Sequence, residues 1–338
     1  MDNNETILIT GGGGFLGSAI IKLLMKNKVG IISFARNHYP ELDKPGIKQI
    51  QGSIIDQNAI SAACKNVNTV FHVAAKPGIW GKYKDYYQTN VIGTKNVIQA
   101  CRQNNVSSLI YTSSPSVIFT GFDMEGVDES APYPEKYHAH YPETKAMAER
   151  LVAKASKQGL PAIILRPHLI WGPGDNHLAP RIIARAKKLI RVGNGTNLVD
   201  TIYIENAAQA HLLAARALKN RPKLSGNIYF ISQDEPIFLW KMIDNILAAG
   251  GKAPIKKSIS KRTAYIIGAM IEVIYKIADK LFRLKQEPPL TRFVAQEFAT
   301  AHWFNISAAK KDLGYKPNIS IDEGLVYLQK WLNKKTEA

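Results

Sequence analysis

The feature that most restricts this chain is a series of short, unbroken apolar runs separated by stretches with helical spacing. Thr6–Thr10 (TILIT) comes first, then Gly30–Phe34 (GIISF), Thr69–Ala74 (TVFHVA), Leu109–Ser113 (LIYTS) and Ala162–Arg166 (AIILR). These runs are too short for helices and lack polar–apolar alternation, so they predict strands covered on both faces. Ser18–Asn27, Thr89–Gln103 and Tyr141–Ser156 lie between them and repeat apolar residues at helical spacing. Strands buried on both sides and joined by helices make a doubly wound, parallel α/β sheet.

The first run leads directly into Thr10-Gly11-Gly12-Gly13-Gly14-Phe15-Leu16-Gly17, which in turn opens a helix. Glycine at 11 permits a tight turn, glycine at 14 lets a pyrophosphate approach the backbone, and glycine at 17 lets helix and strand pack closely. The helix start offers free N–H groups and the positive end of its dipole to phosphates. A glycine motif alone is weak, but strand before and helix after make dinucleotide binding the expected role. The second strand ends Ser33-Phe34-Ala35-Arg36, with no acid to take ribose hydroxyls and an arginine able to pair with a 2′-phosphate. NADP(H) is the preferred cofactor on this reading, with NAD(H) as the alternative.

Beyond about Gly172 the pattern loosens. Gly172-Pro173-Gly174-Asp175 and Gly193-Asn194-Gly195 read as loops, Ile202–Phe230 returns to strand and helix, and the chain from Pro236 is helical and irregular. The expected organisation is a dinucleotide-binding domain from residues 1–175, rejoined by 201–235. A smaller, mostly helical substrate lobe comes from 176–200 and 236–338, over the carboxyl ends of the strands. The 338 residues, 46% of them hydrophobic, can build such a core.

Two residues four apart, Tyr141 and Lys145 in Tyr141-Pro142-Glu143-Thr144-Lys145, share one face at a helix start. A tyrosine can pass a proton during hydride transfer if a neighbouring ammonium moves its pKa toward the working pH. Such a pair is common by chance, and by itself reads as an exposed helix pair. Here Ser114 stands in Tyr111-Thr112-Ser113-Ser114-Pro115-Ser116-Val117, at the end of a strand, where open α/β sheets hold their ligands. Its hydroxyl can stabilise charge developing on a substrate oxygen.

Several ordered segments carry a resemblance: TGGGGFLG (10–17), FHVAA (71–75), TNVIGT (89–94), YTSSPSV (111–117), YPETK (141–145), LRPHLIWGPGD (165–175) and KKDLGYKP (310–317). Together they resemble the extended short-chain dehydrogenase/reductases, whose domain is of the Rossmann type, and within them the 3β-hydroxysteroid dehydrogenase branch. AAKPGIWG (74–81), WGPGDNH (171–177) and LTRFVAQEFATAHWF (290–304) are most similar to bacterial 2-alkyl-3-oxoalkanoate reductases. The resemblance implies that Ser114 is the catalytic serine, Tyr141 the acid/base and Lys145 its partner. It implies cofactor contacts from Gly11, Gly14, Phe15, Leu16 and Gly17, from Arg36, Ser53 and Ile54, and from Ala74, Ala75, Asn90, Lys145 and Pro167. Many NAD-using members carry an acid where Phe34 stands and a G-D-L segment where this chain has Gly52-Ser53-Ile54, which weakens any carry-over of NAD specificity.

The expected reaction is hydride transfer at a secondary alcohol or ketone of an apolar substrate, of 2-alkyl-3-oxoalkanoate or 3β-hydroxysteroid type. Two alternatives remain: a sugar-nucleotide epimerase or dehydratase, and an NADP-binding regulator without turnover. Apolar residues such as Phe238, Leu239, Trp240, Ile267 and Met270 are expected to serve either the lobe's core or the substrate. No metal-ligand spacing occurs, and Cys64 and Cys101 form no disulfide framework. With a polar Met1–Thr6 and an apolar run too short for a signal peptide, the expected location is cytoplasmic.

Forty-four lysines and arginines against 27 acids give a formal charge of +17, clustered at Arg181–Arg191 and Lys252–Arg262. No nucleic-acid recognition module accompanies them. A solvated basic surface is the plain reading; attraction to anionic substrates or lipid headgroups is the sharper one. Ala264–Phe282 carries Glu272, Lys276, Asp279 and Lys280, too many charges for a membrane span. It reads as an amphipathic helix, either packed wholly inside the lobe or covering the substrate cleft with its edge touching a membrane through Lys276, Lys280 and Arg283. A homodimer is also compatible with the sequence.

Overall fold

The computed structural model describes residues 5–282 and 287–337. Seven parallel strands form the main sheet: β1 (Thr6–Thr10), β2 (Gly30–Ala35), β3 (Ile47–Gln51), β4 (Thr69–His72), β5 (Ser108–Thr112), β6 (Ala162–Pro167) and β7 (Ile228–Ile231). Their order is β7-β6-β5-β4-β1-β2-β3. The chain moves outward from β1 to β3, then returns to β4 on the other side, which leaves a switch point between β1 and β4. The predicted strands fall within a residue or two of those observed. β3, an edge strand of sequence IKQIQ with polar residues on both faces, carries no such signature.

Helices cover both faces, and two apolar clusters lie against opposite sides of the sheet. On one side, α1 (Phe15–Leu24) buries Leu16, Ile20, Ile21 and Leu24, against a sheet face carrying Ile7, Ile9 and Phe71. On the other, α2 (Gln57–Ala63) and α3 (Gly93–Gln103) meet Leu8, Val70 and Leu109. Burying each such side chain is worth about 1.5–3 kcal/mol, so removing one sheet-facing isoleucine is a substantial perturbation. α1 starts three residues earlier than the periodicity indicated, because the glycine loop ends at Gly14 and Phe15 is already helical.

The second half contributes α4 (His140–Lys157), α5 (Leu178–Ala184), α6 (Ile204–Asn220) and α7 (Leu239–Ala249). α8 (Lys261–Phe282), α9 (Arg292–Ala299), α10 (Ser307–Leu313) and α11 (Ile321–Glu337) complete it. A small sheet joins residues 124–127, 198–199, 237–238 and 302–304, pieces far apart in sequence. Ahead of α3, Tyr87–Ile92 forms a π-helical turn, a geometry frequent near functional sites.

Candidate active site

A cleft of about 630 Å³ opens at the carboxyl ends of β1, β2, β4, β5 and β6. Its floor is the glycine loop. Gly11 has φ +72° and its N–H donates to the Phe34 carbonyl at 2.8 Å. A Cβ on Gly17 would fall 2.2 Å from the Gly11 carbonyl oxygen, so side chains there would push helix and loop apart. α1 begins behind Gly14 with no side chain capping it, which leaves its first N–H groups aimed at the cleft. Loop, uncapped helix and cleft dimensions fit a dinucleotide with its phosphates at the helix start.

Gly11, Gly14, Phe15, Leu16, Gly17, Arg36, Ser53, Ile54, Ala74, Ala75 and Pro167 all line this cleft, as do Ser114 and Tyr141. Asn90 and Lys145 do not. Asn90 is buried and braces the site from behind: its Oδ1 accepts from Lys76 N at 2.7 Å, and its Nδ2 donates to Thr144 Oγ1 at 3.0 Å. It fixes the Ala74–Pro77 loop to the helix that bears Lys145, while its neighbour Thr89 takes the place on the wall. Lys145 is also buried, and its Nζ donates to the Thr112 carbonyl at 2.6 Å.

The electrostatics depart from the sequence expectation. The Tyr141 phenol is pushed up to about 12 by burial, offset in part by a hydrogen bond from Ser114. Burial also pulls the Lys145 ammonium down to about 7, against the attraction of Glu149 one turn along α4. Loss of hydration thus outweighs the ammonium–phenolate attraction expected from the spacing. Ser114 Oγ is held by Ser116, accepting from its N at 3.2 Å and its Oγ at 3.0 Å.

Three buried polar groups behind the wall escaped the sequence reading. Glu149 accepts from Tyr133 OH at 2.6 Å, from Arg166 Nε and Nη2 at 3.1 and 2.5 Å, and from the Ser113 hydroxyl. Since Ser113 and Pro167 both line the cleft, this pair ties the ends of β5 and β6 to α4. His72, held down to about 3 by burial and then by the Lys145 charge, is neutral. Its Nδ1 pairs with Thr10 Oγ1 at 2.8 Å and its Nε2 with Thr94 Oγ1 at 2.9 Å. Because Thr10 Oγ1 accepts from Ala74 N and Thr94 Oγ1 donates to Asn90 O, the chain has one consistent direction, with the ring proton on Nε2. By the same logic His211 donates from Nδ1 to Ala207 O and accepts from Thr112 Oγ1, steadying the residue that holds Lys145. These partners lie 62, 22 and 99 residues apart in sequence, where no local pattern links them.

The apolar residues offered to the substrate by the sequence are placed elsewhere. Leu239 and Trp240 belong to the core, whereas Phe238 and Met270 face outward. The cleft draws its apolar wall from Val73, Pro77, Leu169 and Ile170. Leu169 stands at φ +43°, in the left-handed region that a branched residue enters only under restraint. α8 does not line the cleft either; the loop bearing Trp80 lies between them, its ring meeting Tyr275 edge-on at 6.2 Å. Of the basic residues expected along α8, Lys276 is exposed; the Lys280 side chain and Arg283 lie outside the described residues. Among the described residues no cluster suited to a metal ion occurs.

Fold and cleft are those of the extended short-chain dehydrogenase class, and the relatives make the chain an NAD(P)-dependent oxidoreductase. The model of the 3-beta hydroxysteroid dehydrogenase/isomerase family matches residues 8–259. The chain belongs to that family. It is 46% identical over 323 residues to a 2-alkyl-3-oxoalkanoate reductase of Stenotrophomonas maltophilia, covering 94% of this chain and 97% of that protein. It is 34% identical over 322 residues to the mouse decarboxylating sterol-4-alpha-carboxylate 3-dehydrogenase, covering 94% and 88%. Its fold matches the crystal structure of a Bacillus cereus UDP-glucuronic acid 4-epimerase bound to UDP-glucuronic acid and NAD. That match has a TM-score of 0.75 at 22% identity, covering 98% of this chain and 99% of the other.

Proposed function

We propose that this enzyme works as an NADP(H)-preferring reductase of 3-oxo acids with apolar chains, and that Ser114, Tyr141 and Lys145 are its catalytic residues. The observation that carries this reading is the meeting of Ser114 and Tyr141 on the wall of the cleft whose floor is the glycine loop, with Lys145 anchored behind them on the Thr112 carbonyl. The phenol, kept protonated by burial, is ready to donate to a ketone oxygen. The nicotinamide, when bound, supplies the hydride to the carbonyl carbon. As negative charge builds on the carbonyl oxygen, Ser114 donates a hydrogen bond to it and Tyr141 transfers its phenolic proton, leaving the alcohol. The resulting phenolate shares a helix face with Lys145, whose ammonium, anchored on Thr112 O, favours it. Asn90, His72 and Glu149 hold these groups in place without touching the reacting atoms.

The name borne by the 46% identical relative supports a 2-alkyl-3-oxo acid as substrate. The apolar wall of Val73, Pro77, Leu169 and Ile170 suits its alkyl chains. Arg36, exposed at the cleft edge beyond β2, supports the cofactor preference. Phe34 points inward, so close to Gly52 that a Cβ there would lie 2.6 Å from the ring, and offers nothing to a ribose hydroxyl. The test is NADPH consumption against 2-alkyl-3-oxo acids, together with cofactor reduction by 3β-hydroxysteroids and turnover of UDP-sugars. Fast turnover of the oxo acids alone is expected; a UDP-sugar turned over in preference would overturn the reading.

A further inference from the structure

α8 divides lengthwise into two faces. On the inner face Ala264 is fully buried, and a Cβ on Gly268 would fall 2.8 Å from the Thr291 backbone. Glu272 accepts from Arg292 N at 2.7 Å and Nε at 2.9 Å. The opposite face carries Ile266, Met270, Val273, Ile274, Ile277 and Leu281, each between 48% and 69% exposed. Single exposed hydrophobic residues are ordinary, but six aligned along one helix form a ridge that water disfavours.

Beside the start of that helix, Lys252, Lys256, Lys257, Lys261 and Arg262 are all exposed. Among the described residues none of the five enters an ion pair. An aliphatic ridge continuous with unpaired cations fits a surface that is apolar inside and anionic at its edge. Among the described residues no helix is long and apolar enough to cross a membrane, so the match is to a helix lying flat.

We propose that the outer face of α8 docks on an anionic lipid membrane, its ridge sunk among the upper acyl chains and its cationic end among the headgroups. The inner face reaches the cleft rim: Tyr275 meets Trp80, in the same loop as the cleft-lining Pro77. A seated helix therefore brings the rim to the bilayer, where an apolar substrate is concentrated. The docking surface itself stands whatever the substrate proves to be.

The experiment is co-sedimentation of the full chain with vesicles of equimolar phosphatidylglycerol and phosphatidylcholine, beside phosphatidylcholine alone. Binding is expected to the anionic vesicles at low salt, and release as added salt shortens the screening length from about 30 Å at 0.01 M to about 3 Å at 1 M. Val273→Glu with Ile274→Glu should abolish binding, and Lys256→Glu with Lys257→Glu should weaken it roughly fivefold or more per charge. Ile274→Trp should show a blue-shifted emission on vesicle addition, which tests the ridge even if the acidic variants fold poorly. No binding to anionic vesicles at low salt would overturn the proposal. So would binding that survives the ridge substitutions with no tryptophan shift, or a ridge-dependent dimer or protein complex that ignores lipid. Turnover of a water-soluble substrate by Ile274→Glu should equal that of the unaltered chain, which separates loss of docking from loss of catalysis.

Discussion

Replacing Tyr141 with phenylalanine removes one oxygen and leaves the ring, so its effects on folding and on chemistry can be separated. The lost hydroxyl has Ser114 as a hydrogen-bond partner. Ser114 keeps Ser116 N and Ser116 Oγ within 3.2 and 3.0 Å, so no buried polar group is orphaned. The expected cost in stability is therefore one net hydrogen bond, about 1 kcal/mol. Loss of the proton donor is worth about 10²–10⁴ in rate, or about 2.7–5.4 kcal/mol in the barrier. NADPH affinity should stay within a few-fold of wild type, because the glycine loop, Arg36 and the Ala74–Ala75 wall are untouched. Single-turnover oxidation of NADPH, followed by absorbance at saturating 3-oxo acid, reads the chemical step, and fluorescence titration reads the cofactor. A variant retaining more than about a tenth of the wild-type rate would refute Tyr141 as the acid.

Arg36→Ala should narrow the preference for NADPH over NADH by roughly ten- to hundredfold, the worth of one charge-assisted contact; equal binding of both cofactors to the wild type would count against it. Lys145 is lowered from its unfolded value of 10.5 to about 7, so the unfolded chain binds the extra proton between those values and this group's contribution to stability rises with pH across that window. Lys145→Met should therefore stabilise the fold more at pH 6 than at pH 10, by up to a few kcal/mol in urea denaturation, and an equal effect at both would sink the assignment. Glu149→Gln strips the buried Arg166 of its carboxylate and should cost about 3–5 kcal/mol, whereas Glu149→Leu with Arg166→Leu should cost less; a milder single variant would show the pair to be dispensable.

The parts of this molecule written locally were readable from the sequence. β1 is a continuous apolar pentamer and the glycine loop a contiguous string, so strand, turn and helix each leave their own mark. Tyr141 and Lys145 could be paired from the sequence because a helix puts residues four apart on one face. What the spacing could not convey was solvent: burial raises the phenol and lowers the ammonium, whatever their order along the chain. Asn90 was expected on the cofactor wall and stands behind it instead, since its bonds to Lys76 and Thr144 exist only once three segments have converged. β3 went unread because its polar residues fall on both faces and break the apolar run, and the small sheet because its strands are too short to carry a period.

The π-helical turn at Tyr87–Ile92 amounts to one surplus residue in an otherwise continuous rod. Each residue of an α-helix advances about 100° around the axis, so the surplus sets the stretch before Gly93 out of phase with the stretch after it. Downstream, Val97, Ala100 and Cys101 stay locked to the sheet; upstream, Tyr86 reaches the Trp80 carbonyl, Thr89 the cleft and Asn90 its two braces. The rod therefore carries two independently aimed surfaces, as a crankshaft carries offset throws. A single-residue deletion within the turn would restore a straight helix and leave the core packing intact, yet rotate the cleft's supports out of register by more than a quarter turn. In a lineage of such enzymes, that one residue is a means of re-aiming a binding wall without rebuilding the sheet behind it.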